Sequence, residues 1–150
     1  MRAHLVRHAD AEPRRGWSEP DRARPLSAKG FVQAERLELD AESAEVASSP
    51  AVRCTTTIEP WARRARLEVN VDERLAEGAD PRDVVEWICT SEHDLVLCGH
   101  GDLLPEVLRL LQLRGMTLDG PAAVAKGSIW SCTVEGGQPL HASYSPPPSA

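Results

Sequence analysis

The chain has 150 residues, of which 27% are charged and 41% hydrophobic, and its net charge at pH 7 is −6. This length predicts one domain with its own core rather than two, and the acidic balance argues against binding to nucleic acid polymers or anionic membranes. No apolar run approaches the roughly 18 residues of a membrane-spanning helix, and the N-terminal residues do not resemble a signal peptide, so we expect a cytoplasmic protein.

The first predicted elements are a strand, a long loop and a helix. The apolar run 3–6 predicts a buried strand. The stretch 9–26 is polar and interrupted by proline and glycine, which predicts a loop, and loops of this length within a domain usually serve function. Ser27 is a suitable N-cap for a helix over about 28–39.

Strands and helices then alternate along the rest of the chain. The remaining strands are expected at 45–48, 67–71, 94–98, 128–134 and 140–144, and the remaining helices at about 50–65, 81–90 and 102–114. The last two strands flank Gly136 and Gly137, which predicts a closing hairpin. The alternation predicts an α/β fold, a three-layer α/β/α sandwich whose mostly parallel sheet has an antiparallel edge. The domain is expected to span 1–145, and the proline-rich residues 146–150 are expected to be a disordered tail.

Two of the predicted strands lead directly into a histidine, His8 and His100. Ligands of open α/β sheets bind beyond the C-terminal ends of the strands, so both imidazoles are expected at one edge. Arg7 precedes the first histidine, and Arg53 lies in the first turn of a predicted helix, whose N-terminus favours an anion. One such histidine alone is usually structural, and Arg53 alone would be a solvated helix residue. All four together favour a phosphate site, because guanidiniums match phosphate oxygens and a neutral imidazole can attack phosphorus.

Four segments resemble, in the same order, the motifs of the histidine phosphatase superfamily. They are LVRHADAE at 5–12, PLSAKG at 25–30 with QA at 33–34, SPAVRCTTT at 49–57, and CGHG at 98–101. Ala9 replaces the glycine that follows the first histidine, a departure shared by the SixA-like branch. The resemblance implies a phosphoglycerate mutase-like fold and a phosphohistidine intermediate on His8, without a metal or other cofactor. It also implies that Arg7, Arg53 and His100 complete the phosphate pocket.

The resemblance leaves the general acid open. Dephosphorylation needs a proton for the leaving group and then removal of a proton from water. The segment DERLAEG at 72–78 resembles the segment that carries this acid in many members, which points to Glu77. Glu73 and Asp102 are the alternatives, and a surface role for Glu77 is equally compatible with the sequence.

The loop after the first strand contributes further candidates for substrate binding. Arg14 and Arg15 could bind a second phosphate or an acidic partner, and Trp17 could stack on a base or fix the loop. A solvated loop is the competing interpretation, since acidic residues are interspersed. Gly101 is expected to contact the phosphate together with His100.

The chain lacks the long insertions that cover the site in mutase and fructose-bisphosphatase relatives. An uncovered site suits a phosphohistidine on a protein or a nucleotide. The segments AKGSIW at 125–130 and GHGDLLP at 99–105 are similar to the phosphatase half of certain two-domain MutT-type Nudix hydrolases, which act in nucleotide clean-up. The Nudix box itself is absent from this sequence.

We therefore expect a metal-independent phosphatase that removes phosphate from a phosphohistidine protein or a nucleotide. A catalytically silent phosphate-binding module, a mutase and a metal-dependent hydrolase are the alternatives. The four cysteines form no CxxC pair, which favours reduced thiols over metal ligands or disulfides. The sequence leaves the oligomeric state open.

Overall fold

The computed structural model describes residues 1–150 and contains one sheet of seven strands. The strands are β1 (Arg2–Arg7), β2 (Glu45–Ser48), β3 (Val69–Val71), β4 (Leu95–Gly99), β5 (Thr117–Leu118), β6 (Ile129–Glu135) and β7 (Gln138–Ser145). The helices are α1 (Ala28–Glu35), α2 (Val52–Ala65), α3 (Pro81–Thr90) and α4 (Leu104–Leu113), with short 3-10 turns at Asp21–Ala23 and Glu73–Leu75. No helix of the chain combines the length and apolar character that crossing a membrane would require.

The sheet has the order β3-β2-β4-β1-β6-β7-β5, with β1 in the middle. Parallel pairing joins β1 to β4, β2 to both β4 and β3, and β5 to β7. Antiparallel pairing joins β6 to both β1 and β7. Gly136 and Gly137 connect β6 to β7 with positive φ angles of 56° and 78°, which the tight hairpin turn requires. The predicted fold class, including the antiparallel portion, is confirmed.

Two apolar layers cover the two faces of the sheet. Successive side chains of a strand point to opposite faces, and Leu5 and Val6 of β1 accordingly belong to different clusters. The cluster of 20 buried residues around Leu5 includes the apolar faces of α3 and α4. The cluster of 13 around Val6 includes that of α2. Both layers leave the C-terminal ends of β1 and β4 at the same sheet edge.

Several element boundaries differ from the sequence-based expectation. The first helix was expected to reach residue 39, but α1 ends at Glu35. Arg64 donates to the carbonyl of Glu35 at 3.2 Å, which a helix reaching residue 39 would use for its own hydrogen bond. Side chains of α2 also bind the chain that follows, since Arg64 donates to the carbonyl of Leu37 at 2.8 Å and Trp61 donates to that of Leu39 at 3.2 Å. The two-residue strand β5 was not predicted, since so short an element gives no periodic pattern.

The last five residues, 146–150, contain no regular secondary structure. The carbonyl of Ser149 accepts a hydrogen bond of 2.8 Å from Arg36, just after α1. The domain boundary at residue 145 and the disorder of this tail remain predictions.

Candidate active site

His8 directly follows β1 and is only 6% exposed. Its backbone N–H donates to the carbonyl of Gly99 at 3.0 Å, which ties it to the end of β4. Its Nδ1 lies 2.8 Å from the carbonyl of Ala9. A carbonyl can only accept, so Nδ1 carries the proton of the neutral ring and Nε2 keeps its lone pair. Burial lowers the pKa of His8 to about 3, with a smaller contribution from His100 and the nearby arginines. The ring is therefore neutral at physiological pH.

His100 approaches His8 from the end of β4. The two ring centroids are 5.6 Å apart and the rings are inclined at 67°. Nε2 of His100 lies 2.7 Å from the hydroxyl of Ser49, and Nδ1 lies 3.4 Å from Nη2 of Arg53. The hydroxyl of Ser49 can donate or accept, but a guanidinium N–H can only donate, so Nδ1 of His100 is the acceptor in its contact with Arg53.

Two arginines complete the predicted cluster, and each has a buried N–H without an acceptor. The side chain of Arg53 is 2% exposed, and its Nη groups donate to the carbonyl and carboxylate of Asp21, both at 2.9 Å. Arg7 donates from Nη1 to the carbonyl of Val124 at 2.6 Å, and burial lowers its pKa. The Nε atoms of Arg7 and Arg53 are both buried without a partner. Buried donors are normally paired, and both guanidiniums line the cavity described below, where they are available to an anionic ligand.

Gly101 allows the guanidinium of Arg7 to lie against the backbone after His100. A Cβ atom on Gly101 would stand 2.5 Å from Cζ of Arg7, which is closer than real Cβ contacts. Any larger residue would displace Arg7 from its position.

The predicted residues line one cavity of about 300 Å³. Its walls include Arg7, His8, Arg14, Arg53, Glu77, His100 and Gly101, together with Glu12, Arg24, Asp102 and Lys126. Arg15 and Trp17 do not line it. Arg15 is exposed, and the indole of Trp17 donates to the carbonyl of Pro20 at 3.1 Å, so it contacts its own loop. A larger cavity of about 510 Å³ lies beside His4, but neither His8 nor His100 lines it.

The three candidate acids have different surroundings. Glu77 accepts from Nη2 of Arg14 at 3.0 Å with one oxygen and from Nη2 of Arg53 at 3.3 Å with the other. Asp102 also lines the cavity and accepts from the N–H of Gly78 at 2.8 Å. Glu73 does not line the cavity, because both of its oxygens are engaged by Arg22 at 3.1 and 2.9 Å.

The loop that follows His8 is fixed from α1 and α2. Thr57 accepts from the N–H of Ala9 at 2.9 Å and donates to the carbonyl of Arg53 at 2.6 Å. One hydroxyl thus connects the residue after His8 with Arg53 of α2. In α1, a Cβ atom on Gly30 would stand 1.8 Å from the carbonyl oxygen of Asp10. No individual role was predicted for Thr57 or Gly30, and their place in the family motifs was the only signal.

Two further residues were not predicted as part of the site. Asp21 bridges Arg53 and Arg24, and although partial burial raises the pKa of its carboxyl, the hydrogen bonds and charges of these arginines lower it overall. Lys126 lines the cavity, with Nζ 3.9 Å from a carboxylate oxygen of Asp10. Both belong to loops whose approach to His8 depends on tertiary packing, so no local pattern indicated them.

The site shows nitrogen donors for an anion rather than ligands for a metal. No group of three or more histidine, cysteine or acidic side chains has an arrangement that could bind a metal ion. All four cysteines are free thiols. Burial raises the pKa of Cys98 well above its ordinary value, so this thiol is protonated.

Comparison with known proteins relates the sequence to phosphatases. Residues 3–79 match the family model described as the histidine phosphatase superfamily, branch 1. The 8-oxo-(d)GTP phosphatase of Mycolicibacterium smegmatis is 30% identical over 154 residues, an alignment that covers 96% of this chain and 48% of that protein. The chain thus spans about half the length of this curated relative.

Several solved structures have a fold similar to that of this chain. SixA from Agrobacterium tumefaciens has a TM-score of 0.71 at 21% identity, covering 87% of this chain and 90% of that one. A tungstate complex of the protein histidine phosphatase SixA has a TM-score of 0.71 at 19% identity, covering 99% and 97%. The mycobacterial glucosyl-3-phosphoglycerate phosphatase with inorganic phosphate has a TM-score of 0.64 at 17% identity, covering 97% and 95%. At these identities the likeness supports the fold.

Proposed function

The chain belongs to branch 1 of the histidine phosphatase superfamily, and from that premise we propose that it is a metal-independent phosphatase acting through a phosphohistidine on Nε2 of His8. The observation that carries this proposal is the state of His8. The ring is buried, its Nδ1 proton is bound to the carbonyl of Ala9, and its pKa is lowered to about 3. A neutral imidazole of fixed tautomer beside two buried guanidiniums has the properties of a nucleophile for a phosphate dianion.

In the first half-reaction, Nε2 of His8 attacks phosphorus and an N–P bond forms while the bond from phosphorus to the leaving atom breaks. The guanidiniums of Arg7 and Arg53 bind the nonbridging oxygens, on which charge is spread in the transition state. His100, whose ring centroid lies 5.6 Å from that of His8, is the proposed third donor to these oxygens. The leaving atom takes a proton, for which Glu77 is the proposed donor once one of its oxygens has been released from an arginine and has taken up a proton from solvent.

In the second half-reaction, water attacks phosphorus, the N–P bond breaks, and orthophosphate leaves. The proton of the water passes to the carboxylate that donated earlier, so the enzyme returns to its starting state. In this scheme, Arg7 and Arg53 supply the positive charge that a metal ion supplies in other phosphatases.

The substrate is proposed to be a phosphohistidine protein or a nucleotide. The SixA structures support the first through their fold, and the 8-oxo-(d)GTP phosphatase of Mycolicibacterium smegmatis supports the second. The expected cytoplasmic location is part of the proposal, since four free thiols suit a reducing compartment.

The phosphoenzyme can be trapped with ³²P-labelled substrate. Label on the wild-type chain should be acid-labile and alkali-stable, and the His8→Asn variant should carry none, since asparagine keeps an N–H near the carbonyl of Ala9 but has no nucleophilic nitrogen. His93→Asn, at an exposed histidine, is the matched control. Label on His8→Asn would refute the assignment of the nucleophile. The substrates to be tested are a phosphohistidine peptide, nucleoside diphosphates and p-nitrophenyl phosphate. If none of them gives label or released phosphate, the silent phosphate-binding module would be favoured.

A further inference from the structure

The catalytic cavity contains more positive charge than one phosphate group requires. Five cationic side chains line it against three carboxylates, in a chain whose net charge is −6. Arg7 and Arg53 serve the transferred phosphate in the proposed function. Arg24 is committed elsewhere, because it is 7% exposed and donates to the carbonyl of Glu12 at 2.6 Å and to Asp21 at 3.0 Å. Arg14 and Lys126 remain.

Lys126 is held next to the nucleophile by its neighbour in the chain. The N–H of Gly127 lies 3.1 Å from the carbonyl of Arg7 and 3.0 Å from that of His8. Gly127 has a φ of 84°, a conformation that favours glycine. The ammonium of Lys126 has only a 3.9 Å contact with Asp10, and its side chain is 47% exposed. It is therefore positioned at the cavity but free to bind another anion.

Arg14 has a pairing that a ligand can replace. Its Nη2 lies 3.0 Å from Glu77 and its Nε 3.5 Å from Asp21, with 65% of the side chain exposed. Ion pairs this exposed are weak, so a doubly charged phosphate can compete for the guanidinium. When Arg14 moves to the ligand, one oxygen of Glu77 becomes free.

We propose that Arg14 and Lys126 form a subsite for a second phosphate, so that the preferred substrate carries a phosphoric anhydride, as a nucleoside di- or triphosphate does. The inference rests on the proposed function of His8. The bond broken is then the anhydride P–O bond, and its electron pair goes to an oxygen of the second phosphate. Arg14 and Lys126 bind that leaving phosphate, whose charge is spread over its oxygens.

The anhydride also fits the state of Glu77. Before a ligand binds, both oxygens of Glu77 accept hydrogen bonds from arginines, and Arg53 still occupies one of them after Arg14 has moved to the second phosphate. A leaving phosphate needs little help from an acid, whereas an alkoxide needs a proton. A phosphohistidine peptide brings no second phosphate, and would leave Arg14 and Lys126 unused.

Steady-state kinetics with two substrates test the subsite. The kcat/KM for ADP should fall roughly tenfold in Arg14→Gln and in Lys126→Gln, as expected for loss of one charge-assisted contact. For p-nitrophenyl phosphate, which has one phosphate, the change should stay below about twofold. Arg63→Gln and Lys29→Gln remove the same charges outside the cavity and should change neither value, which controls for the overall field of the protein.

Binding of inorganic pyrophosphate and orthophosphate, measured by calorimetry, tests the subsite without turnover. Wild type should bind pyrophosphate roughly tenfold more tightly than orthophosphate, and both cavity variants should lose this preference. Three results would overturn the subsite while leaving the assignment of the nucleophile intact. They are equal affinities of wild type for pyrophosphate and orthophosphate, an equal loss of kcat/KM for ADP and p-nitrophenyl phosphate in the variants, and preferred hydrolysis of a phosphohistidine peptide. If wild type still binds pyrophosphate more tightly than orthophosphate but no phosphoenzyme can be trapped, the catalytic proposal alone would be overturned.

Discussion

The neutral state of His8 predicts a loss of stability in acid that can be calculated from its environment. The folded ring has a pKa lowered to about 3, chiefly by burial, whereas an exposed histidine in the unfolded chain titrates near 6.5. As the pH falls below 6.5, the unfolded state takes up a proton that the folded state does not, so stability falls with falling pH. At pH 5 the loss is about 1.5 pH units times 1.36 kcal/mol, or about 2 kcal/mol, and it grows until the folded ring titrates.

Urea unfolding at pH 7 and pH 5 measures this contribution. Between these pH values, wild type should lose about 2 kcal/mol more of its unfolding free energy than His8→Asn, because the variant has no ring to protonate. The pKa of His4 is also lowered, to about 4, mainly by burial, but His4 is present in both proteins and its effect cancels. His93→Asn should lose as much stability as wild type.

Equal losses of stability in acid for wild type and His8→Asn would contradict a neutral His8 in the folded chain. An NMR titration provides an independent check, since the ring resonances of His8 should show no protonation step above pH 5. A step near pH 6.5 would show that the folded structure does not hold the nucleophile neutral.

Three further predictions follow from the contacts around the site. Gly30→Ala should lower the unfolding free energy by about 1–3 kcal/mol, because its Cβ would overlap the carbonyl of Asp10; an unchanged urea midpoint would contradict this. Thr57→Val should lower the unfolding free energy by about 1–3 kcal/mol, because the buried N–H of Ala9 loses its acceptor, and it should also reduce kcat. The control Thr55→Val, one half-turn earlier in α2, should change neither the unfolding free energy nor kcat appreciably. Excess EDTA should leave the rate of p-nitrophenyl phosphate hydrolysis unchanged, and loss of activity that is restored by added metal would refute metal independence.

The sequence predicted the parts of the site that depend on regular structure. His8 and His100 follow apolar strands, and parallel strands end at the same sheet edge. The sequence pattern alone therefore predicts that the two histidines lie close together. Arg53 was expected in the first turn of a helix, and α2 begins at Val52. Each of these positions is given by a periodic pattern and a rule of chain topology.

The parts that were not predicted depend on contacts between loops. Asp21 reaches Arg53 from a loop that crosses the site, and Lys126 reaches the cavity because Gly127 binds the backbone of His8. Neither approach leaves a local signal, since the pairing depends on where distant segments pack. Trp17 shows the opposite case: its residue type suggested base stacking, but its indole contacts the carbonyl of Pro20 and it lies outside the cavity.

The central position of β1 governs when His8, the proposed nucleophile, acquires its surroundings during folding. Leu5 pairs with Leu97 on one side and with Trp130 on the other, so β1 acquires both neighbours only after most of the chain has been synthesised. Contacts of such sequence separation form late, because they close long loops. On a nascent chain, His8 is therefore a hydrated imidazole without its anion pocket. Recovery of phosphatase activity should consequently report the pairing of β1 with both β4 and β6, and a ribosome-bound fragment ending before β6 should have none.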